Sequence, residues 1–310
     1  MTTRTFPSPE AHAAAVQNAH LRMALLRKSS APWTMQTLDL DHLRAQWGQA
    51  GGANLVEGTV SPGGVMIGMA TQNAEVMRMN GCRLDAQTFT LQMPGDELCL
   101  SSADRHSWFS LFIPNAVLAE WSGAGEAAIV LSSRVIRVPK ERAEAFQRVV
   151  AQLGSIVREA PAAFESPIAI DTTARKLTES VREAIWGQPI PATHPGRQAI
   201  PRRQVVRAVM DSIERRDGEY LTVTDLASAA GVSERTLRVV FQEYFGMGPV
   251  RYLKLRTLNL IRKALRGADP TVTTVTGVAT QFGVWELGRL ARDYHLLFGE
   301  RPSETLRNVN

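Results

Sequence analysis

The chain has 310 residues and a mass of 34.0 kDa, enough for about two domains of roughly 100–200 residues each. With 44% hydrophobic, 21% charged and 6% aromatic residues, the composition is that of a globular chain and excludes a disordered or fibrous one. The formal charge of +5 is unevenly spread: residues 1–196 carry 17 Lys+Arg against 18 Asp+Glu, and residues 197–310 carry 18 against 12. A near-neutral stretch followed by a basic one is the pattern expected where a single domain faces a polyanion.

At the N-terminal end an alanine-rich stretch is interrupted by His12, Gln17, Asn18, His20 and Arg22, so it does not read as a secretory signal. No run approaches the ~20 apolar residues of a membrane span. Two cysteines, Cys82 and Cys99, are too few for a disulfide framework. The expectation is a reducing cytoplasm and two small buried hydrophobes in strands, with a redox pair as the alternative.

From Trp33 to Trp121 the sequence breaks into short runs punctuated by glycine: Leu55–Val60, Gly64–Met69, Thr88–Met93 and Glu97–Leu100. Ser61-Pro-Gly-Gly64 and Met93-Pro-Gly-Asp96 read as turns. Many short strands predict a β-sandwich or barrel, which at this size commonly encloses a small-ligand cavity. After Pro139 the period becomes helical, through Phe146, Val149, Val150, Leu153, Ile156 and Val157, then Ile170, Ala174, Leu177, Val181, Ala184 and Ile185. These two helices either pack on the strands or carry a homodimer seam. Gly187 to Pro201, rich in proline, reads as a linker. The expected domains are therefore 1–195 and 196–310, an α+β chain ending in an all-α domain.

In the last third, Val205, Val206, Val209, Met210 and Ile213 mark a helix ended by Asp217-Gly218. Thr222-Val-Thr-Asp225 has the spacing of a capping box, with Leu226, Ala227 and Ala230 inward. Gly231 turns the chain, and Ser233 caps a helix carrying Leu237, Val240, Phe241 and Tyr244 on one face. Helix, short glycine turn, helix is the helix-turn-helix unit. A joining helix from Pro249 to about Arg266 follows, with Leu253, Leu260, Ile261, Ala264 and Leu265 expected inward. Then come Val272, Val275 and Ala279, the turn Phe282-Gly-Val284, and a helix from about Glu286 through Leu290, Tyr294 and Phe298. The units, about 222–245 and 272–298, form an internal repeat, a far stronger signal than either alone.

A recognition helix must turn a polar face to the major groove while its apolar face holds the unit together. The outward positions of the first are Glu234, Arg235, Thr236, Arg238, Val239 and Gln242, behind the cap Ser233. Arginine suits the guanine O6/N7 edge and glutamine the adenine N6/N7 edge, while threonine bonds a base or touches a thymine methyl. In the second they are Trp285, Glu286, Gly288, Arg289, Arg292 and Asp293. Any one arginine is as well explained by a solvated helix face. The repeat together with the excess positive charge is not, and points to double-stranded DNA as partner.

Leu221 to Arg307 resembles the DNA-binding domain of the AraC/XylS family of transcriptional regulators. The resemblance is carried by Asp225-Leu-Ala, Gly231-Val-Ser-Glu-Arg-Thr-Leu237, Phe241, Gly246-Met-Gly-Pro249, Tyr252-Leu, Val278-Ala279, Phe282-Gly283 and Phe298-Gly-Glu-Arg-Pro302. It implies base contacts from Arg235, Thr236 and Arg238 and a contact from Arg292, and RNA polymerase as a further partner of a DNA-binding activator. Val239 departs from the family's phosphate-binding arginine, and the second helix has leucine and glycine at reader positions. The phrase Val284-Trp-Glu-Leu-Gly-Arg-Leu-Ala-Arg-Asp-Tyr294 is most similar to the subgroup containing the ethanolamine-operon regulator.

The resemblance also implies a cupin-like sensor or dimerisation domain in the first half, responding to a small-molecule effector. The histidines, at 12, 20, 42, 106, 194 and 295, lack the His-x-His spacing of metal-dependent cupins, and only His106 reads as lying in the strand-rich core. No metal, cofactor or catalytic residue is expected. Arg105, His106, Trp108 and Phe109 are the candidate effector-lining residues. The rival reading is a cupin-type small-molecule enzyme with a helical appendage.

Overall fold

The computed structural model describes residues 3–29, 31–122, 134–185, 202–216 and 218–308. The linker read at Gly187–Pro201 and the helix stop at Asp217 lie outside them. The chain divides into two compact units. Unit 1 is Met1–Met23, Ser30–Gly51 and Val56–His194; unit 2 is Pro195–Asn310 together with two short upstream segments, Ala24–Ser29 and Gly52–Leu55.

Strands and helices of the first two hundred residues run β1 (Arg4–Phe6), α1 (Pro9–Ala14), β2 (Ala19–Leu25), β3 (Trp33–Leu40), β4 (Leu43–Ala50), β5 (Asn54–Val60) and β6 (Gly64–Gln72). They continue with β7 (Met77–Met79), β8 (Cys82–Arg83), β9 (Thr88–Gln92), β10 (Glu97–Ser102), β11 (His106–Pro114), α2 (Asn115–Ser122), β12 (Arg134–Arg137), α3 (Lys140–Glu159) and α4 (Pro167–Ile185). A seven-stranded sheet has the order β1-β3-β4-β11-β6-β9-β12, and a five-stranded sheet the order β2-β5-β10-β7-β8. The strands thus form two sheets, a sandwich rather than a closed barrel.

Period-2 alternation gives each strand of the larger sheet two different faces. Leu38, Leu40, Leu43, Ala45, Ile67, Phe89, Leu91, Phe109, Leu111 and Ile113 face the helices, packing with Phe146, Val150 and Val157 of α3 and Ala174, Leu177 and Val181 of α4. The helical stripes read in the sequence are therefore core, each fully buried large side chain worth about 1.5–3 kcal/mol. Gly154 lets α3 approach closely: a Cβ there would lie 3.1 Å from the Trp47 indole nitrogen, which donates to the Val150 carbonyl at 3.1 Å. Both cysteines are free thiols, Cys82 exposed and Cys99 buried. They sit on strands separated by β7; burial pushes the Cys99 thiol up, while the exposed Cys82 departs from the buried strand hydrophobe expected of it.

Among the described residues the helices that follow are α5 (Arg202–Arg215), α6 (Val223–Ala229), α7 (Glu234–Phe245), α8 (Pro249–Arg266), α9 (Val275–Gln281), α10 (Leu287–Phe298) and α11 (Pro302–Arg307). On α8 the buried positions are Pro249, Tyr252, Leu258, Ile261, Arg262 and Leu265, whereas Leu253, Leu260 and Ala264 are only half-buried. The expected stripe is rotated because α8 packs against α7, α9 and α11 at once. Val272 is 81% exposed, in a turn ahead of α9 where the Asp269 carboxylate accepts from the Thr271 N–H and hydroxyl. Among the described residues no helix is long and apolar enough to cross a membrane.

Candidate nucleic-acid interface

Two stretches of unit 2 repeat the same local chemistry. The hydroxyls of Thr222 and Thr274 cap α6 and α9, accepting from the Asp225 and Gly277 N–H groups at 3.1 and 3.0 Å. The Asp225 carboxylate answers by accepting from the Thr222 N–H at 2.8 Å, completing the capping box read in the sequence. The Thr222 hydroxyl, donating to the same carboxylate at 2.6 Å, and then this N–H hold the carboxyl below the usual range. Gly231 and Gly283, at φ +63° and +71°, then reverse the chain in a left-handed conformation that favours glycine. Val232 and Val284 N–H groups each donate back to the preceding helix, to the Ala227 and Ala279 carbonyls, at 3.0 Å.

Up to this point the repeat offset is 52 residues (222 to 274, 231 to 283). Past the turn it is 53: Leu237 and Leu290 are buried alike, as are Phe241 and Tyr294. Gly246 and Gly299 both end their helices in left-handed conformation, and Pro249 and Pro302 open the next ones. The second turn therefore holds one extra residue, at Trp285.

The helices that follow the turns, α7 and α10, stand where a helix-turn-helix unit carries its recognition helix. Ser233 caps α7, its hydroxyl accepting from the Thr236 N–H at 3.2 Å and meeting the Thr236 hydroxyl at 2.9 Å. Glu234 accepts from the Thr224 hydroxyl at 2.8 Å, tying α7 to α6. Arg235, Arg238 and Gln242 are exposed. On α10, Glu286 is the cap residue, and Trp285 ahead of it is 76% exposed. Arg289 pairs with Glu286 at 3.3 Å and lies 3.8 Å from Asp293. Arg292 is exposed. Among the described residues Arg235, Arg238 and Arg292 are in no ion pair.

Other cations of this basic unit are consumed in folding. Lys254 pairs with Asp293 at 2.7 Å. Arg262, 8% exposed, pairs with Glu300 at 3.3 Å and lies 4.5 Å over the Phe298 ring. Sequence reasoning did not separate these from the outward arginines; their positions on the inward stripe of α8 were the available signal. The joining helix α8 has 18 residues, about 27 Å at 1.5 Å per residue, near the ~34 Å between successive major-groove faces on one side of a duplex.

In unit 1 the four candidate effector residues part company. Arg105 is exposed in the β10–β11 turn. Phe109 turns into the core beside Trp47 and Phe146. His106 is 3% exposed, its Nδ1 3.3 Å from the Asp104 carbonyl. Trp108 folds over Gly48, where a Cβ would lie 2.2 Å from the indole, and it borders a pocket of about 530 Å³ with Gln49, Ser107 and Arg158. His12, outside the strand-rich stretch in sequence, is fully buried among Phe6, Trp33 and Trp108.

Sequence reading also missed a polar row across five strands of the large sheet. Thr37, Gln46, Ser110, Gly68 and Thr90 are successive cross-strand partners, on the face turned away from α3 and α4. Gln46, Ser110 and Thr90 are buried. On the same face Gln92 is 2% exposed, with no hydrogen-bond partner for either carboxamide atom. The alternation Thr88-Phe-Thr-Leu-Gln92 was its one sequence signal. Among the described residues no cluster of three His, Cys, Asp or Glu could hold a metal.

Unit 2 is thus a tandem helix-turn-helix domain, two capped and glycine-turned units joined by one long helix. Residues 226–308 match a family model described as a helix-turn-helix domain. The chain is 41% identical over 105 residues to a probable thc operon regulatory protein of Rhodococcus erythropolis, covering 34% of this chain and 32% of that one. It is 34% identical over 104 residues to XylDLEGF operon transcriptional activator 3 of Pseudomonas putida, covering 34% and 30%. A solved structure of a probable AraC family transcriptional regulator from Rhodopseudomonas palustris is 36% identical, covering 34% of this chain and 97% of that one, with a TM-score of 0.31. The matched stretch is similar to the helix-turn-helix domain of AraC/XylS-type transcriptional regulators. It spans about a third of the length of these two curated relatives.

Proposed function

We propose that the protein is a sequence-specific DNA-binding regulator of transcription, laying α7 and α10 in adjacent major-groove segments of one duplex. The observation that carries this reading is the repeat itself: two units with matching caps, turns and buried positions present their second helices outward from a basic unit. On α7, Arg235, Thr236, Arg238 and Gln242 are the reading side chains, with Ser233 holding the helix start. Their unpaired guanidiniums offer bidentate donors to guanine edges, and surrounding cations supply a salt-dependent phosphate term. On α10, Arg292 is the remaining unpaired cation. Arg289 and Glu286 chiefly satisfy each other.

Unit 1 is proposed to bind a small effector, and the polar row with the unpartnered Gln92 carboxamide supports a neutral, hydrogen-bonding ligand there. Burying such a group without a partner is costly. Such a ligand would change DNA affinity only by favouring one state of the protein. RNA polymerase is the partner expected of an activator in this family, and no catalytic step belongs to this reading. Selection of duplexes from a random library by the full chain tests it: the expected result is an enriched motif bound far more tightly than scrambled DNA. Binding of all duplexes alike at moderate salt would overturn it.

A further inference from the structure

We propose that the second recognition helix selects its segment through apolar contact, with the Trp285 indole packed against thymine methyl groups. This rests on unit 2 being a DNA-binding unit, and adds the chemistry of its second half-site. With the 53-residue offset, Arg235 and Arg238 of α7 correspond to Gly288 and Ala291 of α10. Neither arginine arm of the first unit has a polar counterpart in the second. Arg289, which takes the place of Thr236, is held by Glu286 and Asp293.

Beside the mutually paired Glu286 and Arg289, what the start of α10 presents is apolar. Trp285 is 76% and Leu287 36% exposed, and Gly288 leaves open space, since a Cβ there would meet nothing within 4 Å. Trp285 is the residue by which the second turn exceeds the first, so it stands ahead of the helix N-terminus, the end that contacts base edges in a helix-turn-helix complex. The one apolar feature that a base pair shows in the major groove is the thymine C5-methyl. Trp285 is thus continuous with the DNA-facing surface in place, and complementary to thymine in chemistry. Cover by a protein partner is the competing outcome.

The test uses the full chain and the duplexes it selects. Each thymine is replaced in turn by deoxyuridine, which removes only the methyl. In one of the two protected segments, replacement at one or two positions should weaken wild-type binding about fourfold each, the equivalent of ~0.8 kcal/mol per buried methyl. Trp285→Ala should abolish that sensitivity while keeping the preference in the other segment, and Trp285→Phe should retain part of it. Wild-type binding indifferent to deoxyuridine in both segments overturns the proposal without requiring any variant to fold. So does a Trp285→Ala protein with unchanged affinity and unchanged sensitivity, which would leave the indole to a protein partner. If the wild type enriches no motif, the DNA-binding reading itself fails, and this proposal with it.

Discussion

Acidification from pH 7 to pH 5 should destabilise unit 1 through two buried histidines. His12 is enclosed by three aromatic rings; its Nε2 lies 3.2 Å from the Thr34 carbonyl, and its Nδ1 has no partner. Burial lowers its pKa to about 4, partly opposed by the Thr34 contact. Burial likewise lowers His106 to about 4, opposed by Asp104 and reinforced by His12. Both folded-state values lie below the unfolded 6.5, so the unfolded chain takes up protons that the folded chain refuses. Stability is complete above pH 6.5 and is lost as pH falls toward 4. That gap costs about 2 kcal/mol per histidine at pH 5, an appreciable part of a typical 5–15 kcal/mol. Urea unfolding between pH 5 and 6 should show a slope of about 1 kcal/mol per pH unit per histidine. His12→Phe should roughly halve the summed slope, whatever it does to stability at pH 7. Imidazole NMR signals assigned to His12 and His106 that titrate near 6.5 in the folded protein, or a slope untouched by His12→Phe, would refute the reasoning.

Three further outcomes are expected in unit 2. Arg238→Ala should cost about 1–3 kcal/mol on a selected duplex and little on scrambled DNA in a gel-shift titration; equal losses would reassign the residue to phosphate. Gly231→Ala should cost about 1 kcal/mol for its left-handed backbone, while Gly283→Ala should cost more, because its Cβ would lie 2.9 Å from Tyr220. Thermal unfolding of the pair checks this, and equal shifts would contradict it. Thr222→Ala removes a cap bonded in both directions and should cost about 1 kcal/mol, read by the same melts.

The helical third was legible because its signals are local. Thr222 with Asp225, Ser233, Gly231 and Gly283 fix caps and turns within a few residues of one another, and a repeat doubles each signal. The phase of α8 was not, since a helix packed on several sides obeys no single stripe. In unit 1 the strands were visible through alternation, but β1 and α1 are too short for any period to register, although Ser8 and Pro9 mark the start of α1. His12 and the polar row depend on which strands pair, which no spacing reveals. Phe109 and Trp108 show the cost directly: adjacent residues on one strand point to opposite faces, so a guess by sequence neighbourhood joined what the pleat separates.

Hydroxyl-radical protection of a selected duplex by the full chain tests the central claim most directly. Two recognition helices joined by α8 should protect two segments on one face of the DNA, about 10 base pairs apart centre to centre. A single protected segment, or uniform protection independent of sequence, would contradict a protein that reads DNA with both units.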